Sequence, residues 1–402
     1  MSETSTTTRP ILEGAWKMRT PWIAIPGLLW ASVAFGQATP ARSLIQNAGF
    51  EDEGGLAQGW GLLWTRDRDV GGAALDASVK HLGGHALRVS HKGDKDWSMQ
   101  QAQKVAVSPQ DIFIVSGWVK CEGVEGAVSL SVTTEDAQGK VIQWMHGRQD
   151  ARGTHDWQEL KGRFIVPQNC VAIRFRVTGS GPGTAWFDDL SLTKEGNVAE
   201  MAKQTGLERT VTFESATLAV SLDLSSALLS VRDKRNGKVW PQAALGEGLV
   251  VRKGAKLEAA TGVRLELLDV LNGLTVEATL AASPTAPELA VELKGQGKLQ
   301  SALKFPQPFA PEPGAFLVIP LNEGILYPVD DQTVRPLRLV GYGGHGICMA
   351  WFGLTDSQFK SGVMAIIETP DDMSIQMLRD KDGRLTVQPI WEASRGEFAY
   401  PR

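Results

Sequence analysis

Two short stretches bracket the first half of the chain: Asn47-Ala48-Gly49-Phe50-Glu51 and Ala185-Trp186-Phe187-Asp188-Asp189-Leu190-Ser191-Leu192. Between them apolar residues recur with a period of two. Leu87 and Val89, then Phe113, Val115 and Val119, then Val128, Leu130 and Val132, then Val171, Ile173, Phe175 and Val177 keep this alternation. That is the pattern of strands with one face buried. Turn signals separate them: Ser108-Pro109-Gln110-Asp111, Asp136-Ala137-Gln138-Gly139 and Gly179-Ser180-Gly181-Pro182-Gly183. No long amphipathic helix interrupts the series, so an all-β sandwich is expected.

The opposite parity of the same strands carries the polar residues. Ser116, Trp118 and Lys120 fall on it, as do Ser129, Ser131 and Thr133, and Arg174 and Arg176; Trp144, His146 and Arg148 share one parity of the strand from Val141. If these strands share a sheet, one face presents tryptophan, arginine, histidine and hydroxyls together. An indole is a flat apolar platform for the C–H face of a pyranose, and guanidinium forks reach ring hydroxyls. Trp118, Trp144, Arg174, Arg176 and His146 are therefore the candidate carbohydrate-binding residues. Trp64 and Trp97 are further candidates from loops, whereas Trp60, Trp157 and Trp186 are expected in the core. The competing reading of Arg174 and Arg176 is a solvated strand face.

With Val115-Ser116-Gly117-Trp118-Val119-Lys120 and Asp156-Trp157-Gln158 between them, the two bracketing motifs resemble the secreted carbohydrate-binding modules of the cellulase-C type. The resemblance covers residues 44–194 and implies a jelly-roll sandwich that binds an oligosaccharide or polysaccharide. It also implies a structural calcium ion between the opening Glu and a closing Asp, here Glu51 with Asp188 or Asp189. Asp188 is favoured, because its parity with Leu190 and Leu192 points it inward, where an unpaired carboxylate is costly. The alternative is an Asp pair that caps a turn by hydrogen bonds.

Residues 195–207 read as a linker, and 208–402 as a second, larger sandwich. Leu218, Val220, Leu222 and Leu224 alternate, Asn236-Gly237 marks a hairpin tip, and Pro284–Pro287 and Pro306–Pro313 read as long surface connections. The stretch from Leu218 to Trp240 resembles galactose-mutarotase-like supersandwich domains. Met349-Ala350-Trp351-Phe352-Gly353, Gly362 to Asp372, Pro389-Ile390-Trp391 and Phe398 to Arg402 are similar to the region ahead of the barrel in bacterial glycosidases related to the endo-α-N-acetylgalactosaminidases. In such enzymes a (β/α)8 barrel follows a Tyr-x-Arg like Tyr400-Pro401-Arg402. The expectation is the exported, non-catalytic front part of a glycoside hydrolase, its barrel lost or encoded separately. A free-standing secreted or cell-surface glycan-binding protein is the second reading. An aldose epimerase is the third; its acid would be His345 and its base Glu368. Glycoside hydrolysis needs two facing carboxylates, but Glu368, Asp371 and Asp372, like Asp330 and Asp331, read as solvated loops, so no catalytic residue is assigned.

The bulk properties agree. A chain of 402 residues suits two β-domains, and a formal charge of −4 with both signs interspersed offers no basic stripe for nucleic acid. Residues 1–38 read as a leader: Lys17-Met18-Arg19, an apolar run from Pro21 to Phe35, then small residues, the outline of a signal peptide. The expected location is secreted or periplasmic, with a membrane anchor at that segment as the alternative. Of the three cysteines, Cys121 and Cys170 read as buried thiols, with a bridge between them as the alternative.

Overall fold

A computed structural model describes residues 43–204, 208–244, 248–257, 261–341 and 346–392. The expected leader and His345 lie outside these residues. Nine strands build the first sandwich: β1 (Trp64–Thr65), β2 (Gly71–Asp76), β3 (Ala86–His91), β4 (Asp96–Gln100), β5 (Val105–Ala106), β6 (Asp111–Glu135), β7 (Val141–Ile165), β8 (Ala172–Ser180) and β9 (Gly183–Asn197). Two of them, β6 and β7, run for 25 residues each. They serve both layers. The first part of β6, Asp111 to Glu122, pairs with β9, and its last part, Ala127 to Glu135, pairs with β8. The change of partner falls at Gly123, whose φ of 59° admits no ordinary side chain without strain. One layer is thus β1-β4-β8-β6-β7 and the other β2-β3-β9-β6-β7.

The alternation read from the sequence sets the core. Trp97, Met99, Val128, Leu130, Val132, Phe175 and Val177 of one layer meet Leu87, Val89, Phe113, Val115, Val119 and Phe187 of the other. Each such burial contributes about 1.5–3 kcal/mol. Trp97 reaches across to Phe187, ring centroids 6.3 Å apart, and Trp60 packs on Phe50 at 5.4 Å. The opening stretch lies beside the closing one: the Leu44 amide donates to the Leu192 carbonyl (2.8 Å) and the Leu190 amide to the Ala48 carbonyl (3.0 Å).

Three tryptophan expectations change. Trp97 lies on β4 rather than in a loop and is buried in the core, while also bordering the outer cleft. Trp186 is buried, but the ladder shifts register between Ser116 and Trp118, opposite an Asp189 held at φ 48°. That bulge reverses the parity counted back from Leu190, and Trp186 lies under the Arg88 guanidinium (5.9 Å), donating to Asp76 (2.9 Å). Trp157 is half-exposed, edge-on to the His81 ring at 5.7 Å. Cys121 and Cys170 are free and buried.

After β9 comes the helix α1 (Val198–Gln204), whose first turn is capped by Asn197 Oδ1 accepting from the Ala199 (3.0 Å) and Glu200 (3.3 Å) amides. Val198 and Met201 pack with Ile112, Ile165, Val250 and Val270, an apolar seam between the two halves. The second half contains four antiparallel-rich sheets of four strands each. They comprise Thr210–Glu214, Leu218–Asp223, Leu228–Asp233 and Val239–Pro241; Leu249–Lys256, Gly262–Asp269, Leu274–Ala282 and Leu289–Gly295; Phe316–Ile319, Ile325–Pro328, Trp351–Thr355 and Gly362–Ile366; and Leu337–Gly341, Gly346–Ile347, Met373–Arg379 and Leu385–Trp391. One continuous apolar core joins all four. The Pro306–Pro313 run does not skirt the surface as expected. Phe305 is fully buried, Gln307 is buried, and the Trp391 indole donates to the Phe305 carbonyl (2.9 Å).

Candidate functional site: a tryptophan-walled cleft

The outer face of the β1-β4-β8-β6-β7 layer forms a cleft of about 730 Å³. Alternation decides its floor: where Trp97, Met99, Leu130, Phe175 and Val177 point into the core, Ser98, Gln100, Ser129, Arg176 and Thr178 point out. Trp64 on edge strand β1 and Trp144 on edge strand β7 stand on opposite sides, 49% and 62% exposed. Three strands separate them, ~19 Å across a flat sheet at ~4.8 Å per strand.

Both indoles are backed by guanidinium groups. Arg66 lies 5.5 Å from the Trp64 ring and Arg176 5.5 Å from that of Trp144. Arg66 is clamped to Asp96, its Nη2 donating to Oδ2 at 2.8 Å. That contact holds Asp96 below the usual carboxylate range and raises Arg66. Arg176 differs: it is buried, and its Nη1 donates to Thr133 Oγ1 (3.2 Å) and the Trp144 carbonyl (3.3 Å). Burial pulls its pKa down, opposed by the charge of Asp96. Arg176 Nε, Arg174 Nε, Ser131 Oγ and Thr178 Oγ1 are buried without a hydrogen-bond partner among the described residues. Unsatisfied donors gathered under one face are an unusual expense in a folded protein.

The structure brings together only part of the set expected from sequence. Trp144 and Arg176 line the cleft. Arg174 shares the outer parity of β8 but lies beyond the lining residues. His146 turns away: its ring packs edge-on to Phe164 (5.3 Å), Nε2 is 2.8 Å from the Ile165 carbonyl and Nδ1 2.6 Å from Gln143 Oε1. Trp118 is on the other layer, because the first part of β6 pairs with β9; its ring stacks on His81 at 3.9 Å. Missed from sequence were Ser98, Gln100 and the Arg66–Asp96 clamp. The signal for Asp96, Ser98 and Gln100 was the out-facing parity of the strand around Trp97.

The opening and closing carboxylates do converge. A Cβ built on Gly49 would lie 3.8 Å from the Glu51 side chain and 4.0 Å from both Asp188 and Asp189. Their inner oxygens are occupied by N–H donors, however. Glu51 Oε1 accepts from the Gly84 (2.8 Å) and His85 (3.0 Å) amides, Asp188 Oδ2 from those of His81 (2.9 Å) and Leu82 (3.2 Å), and Asp188 Oδ1 from that of Asp189 (2.8 Å). His81 Nδ1 sits 2.6 Å from Asp189 Oδ2. Burial raises the Asp188 pKa despite these donors. Among the described residues no group of three or more His, Cys, Asp or Glu side chains is arranged to hold a metal ion. The oxygens left for a cation are the outer ones, Asp189 Oδ1 and Glu51 Oε2, the latter facing His85 Nδ1 at 3.6 Å.

Residues 42–184 match the family model CBM_4_9, a carbohydrate binding domain. Carbohydrate binding is thus the function carried by the first sandwich. Among individual proteins, the uncharacterized HTH-type transcriptional regulator YbfP of Bacillus subtilis (strain 168) is 30% identical over 95 residues, 23% of this chain and 31% of the relative. The chain therefore spans under a third of that relative's length. Solved structures that match part of this chain include the C-terminal family 22 carbohydrate binding module of Clostridium thermocellum Xyn10B (15% identity, TM-score 0.30, 39% of this chain and 94% of that one). Another is the CBM22-1 xylan-binding domain of Paenibacillus barcinonensis Xyn10C (15%, 0.30, 39% and 97%). A third is the enzymatically active domain of bacteriophage CBA120 tailspike protein 4 (12%, 0.31, 38% and 21%).

Proposed function

We propose that the first sandwich holds a glycan chain in the Trp64–Trp144 cleft, and that the rest of the chain presents this module as the non-catalytic part of an exported glycoside hydrolase. One observation carries the binding site: two half-exposed indoles wall a floor of hydroxyl, amide and guanidinium groups, several of them unpartnered. Indoles stack on pyranose rings, and the floor donors and acceptors take ring hydroxyls. Affinity electrophoresis of the full chain through soluble polysaccharides tests this, with a Trp64→Ala/Trp144→Ala variant as control. Retardation lost in the variant supports the reading; no retardation of the parent by any polymer sinks it.

The galactose-mutarotase-like identity of 208–402 and a separate catalytic barrel belong to the same proposal and rest on the sequence resemblance, and secretion rests on the signal-peptide outline of residues 17–38. Glu368 is exposed on the second half, and Asp372, expected in a solvated loop, is buried. DNA binding of the kind the regulator's name suggests is not proposed, since α1 is the only α-helix among the described residues and a helix-turn-helix needs two. No helix among the described residues is long and apolar enough to cross a membrane.

The calcium implied by the resemblance is proposed for the outer oxygens, with Glu51 and Asp189 as its holders; when bound it would add a cationic staple to strand ends already joined by amide donors. Melting of the full chain with and without chelator tests it. A lower midpoint in chelator, absent in Glu51→Ala, supports the ion; an unchanged midpoint leaves the amide-satisfied carboxylates as the whole staple.

A further inference from the structure

Four charged residues line the cleft: Arg66, Asp96, Arg148 and Arg176. Two of the three arginines are neutralised, Arg66 by Asp96 and Arg148 by Asp150. Arg176 forms no ion pair among the described residues, although only 8% of it is exposed. Its neighbour on the same face of β8, Arg174, has none either, and both Nε atoms lack a partner. The cleft therefore holds surplus positive charge around a guanidinium removed from water. Such a group is costly unless a counter-charge meets it.

The flanking groups are small and polar. Across the ladder Arg176 is paired with Gln100 on β4 and Ser131 on β6, and Thr178 follows two residues on. Ser131 Oγ and Thr178 Oγ1 are buried and unpartnered. With Nη1 committed to Thr133 and the Trp144 carbonyl, the remaining edge of the planar fork is without a protein partner among the described residues. That edge fits two oxygens of a carboxylate. A neutral sugar would supply hydroxyls but add no counter-charge to that of Asp96, which is already clamped to Arg66.

Resting on the reading of the cleft as a glycan site, we infer that the glycan is acidic and that Arg176 pairs with the carboxylate of a uronic acid residue while Trp64 and Trp144 stack on its rings. The recognised unit is a uronate within a chain, not a free anion, because the indoles demand ring faces beside it.

The test measures binding of the full chain to uronate polymers of different backbones, namely polygalacturonate, alginate and glucuronoxylan. Each is paired with its own carboxyl-reduced form, which keeps the backbone and removes the charge. The expected result is that at least one polymer binds about tenfold or more tightly than its reduced partner, with affinity that falls as salt rises. Arg176→Lys keeps the charge and loses the fork, and Arg176→Gln loses both. The preference should shrink in the first and vanish in the second, with melting curves checking that each variant folds. The comparison of matched polymers on the unaltered protein stands even if both variants unfold. Equal binding to carboxylate and reduced forms overturns the inference and leaves the glycan site intact. If no polymer binds, whether uronate, carboxyl-reduced or neutral, the glycan site itself is removed. Tighter binding to dextran sulfate than to every uronate polymer overturns the carboxylate assignment in favour of sulfate.

Discussion

Replacing Trp144 with alanine is the most discriminating perturbation of the cleft. Trp144 is 62% exposed, roughly 150 Å² of a side chain of ~250 Å². A sugar ring laid on one face removes about half of this from water, ~75 Å², worth about 2 kcal/mol at ~25 cal/mol/Å². Trp144→Ala should therefore weaken glycan binding ~30-fold. By the same reasoning Trp64, 49% exposed, is worth about 1.5 kcal/mol, or ~10-fold. Neither change should unfold the protein, since a largely exposed ring and its cation–π contact contribute about 1 kcal/mol or less to the fold. Trp118→Ala is the counter-case. Its ring stacks on His81 on the other layer, so it should lower the melting midpoint and leave binding unchanged. Calorimetric titration of each variant with the polysaccharide that binds the parent, beside a thermal melt, reads both quantities. Parent-like affinity in Trp144→Ala, or lost affinity in a stably folded Trp118→Ala, would refute the placement of the site.

Other expected outcomes are simpler to measure. Trp97→Ala should destabilise the first sandwich by about 3–5 kcal/mol in a denaturant titration, because its ring fills the space over Gly179 and against Phe187; Gly179→Ala should also destabilise by forcing a Cβ into that ring. In the native protein a thiol reagent should modify Cys348 alone, since Cys348 is exposed, Cys121 and Cys170 are buried, and burial pushes the Cys121 thiol up to about 11; denaturation should release three reactive thiols. Stability should fall in acid. Asp111 is held low by Lys194, Asn197 and the Ser108 amide, which outweigh its burial, and Glu392 by Arg338 and Ser374, which outweigh its own. A carboxylate with a depressed folded pKa contributes stability that is fully present above the unfolded value of ~4 and is lost as pH falls from there through the folded pKa. Asp188 and Asp269, raised by burial, act in the opposite sense, so Asp111→Asn should flatten the acid limb of the melting midpoint plotted against pH, and an unflattened limb would contradict the assignment.

The all-β class, the core-facing residues of the regularly alternating strands and the membership of the opening and closing motifs in one sandwich were legible in the sequence. Alternation with a period of two is a local property, readable wherever a strand keeps one partner sheet. It placed Ser129, Ser131, Thr133, Arg174 and Arg176 on one outer face correctly. Which strands share that face emerged from the pairing of strands across the sheet. Because β6 changes partner near Gly123, Trp118 and Trp144 lie on different layers although both oppose core positions of their strands. The bulge at Asp189 likewise reverses a parity counted through it, and a bulge leaves no periodic trace in the residues beside it. The hydrogen bonds that fill Glu51 and Asp188 were also beyond local reading, since their donors come from the loop at His81 to His85, more than a hundred residues from Asp188 and about thirty from Glu51. Parity is set by neighbours along the chain, and a binding site by neighbours across it.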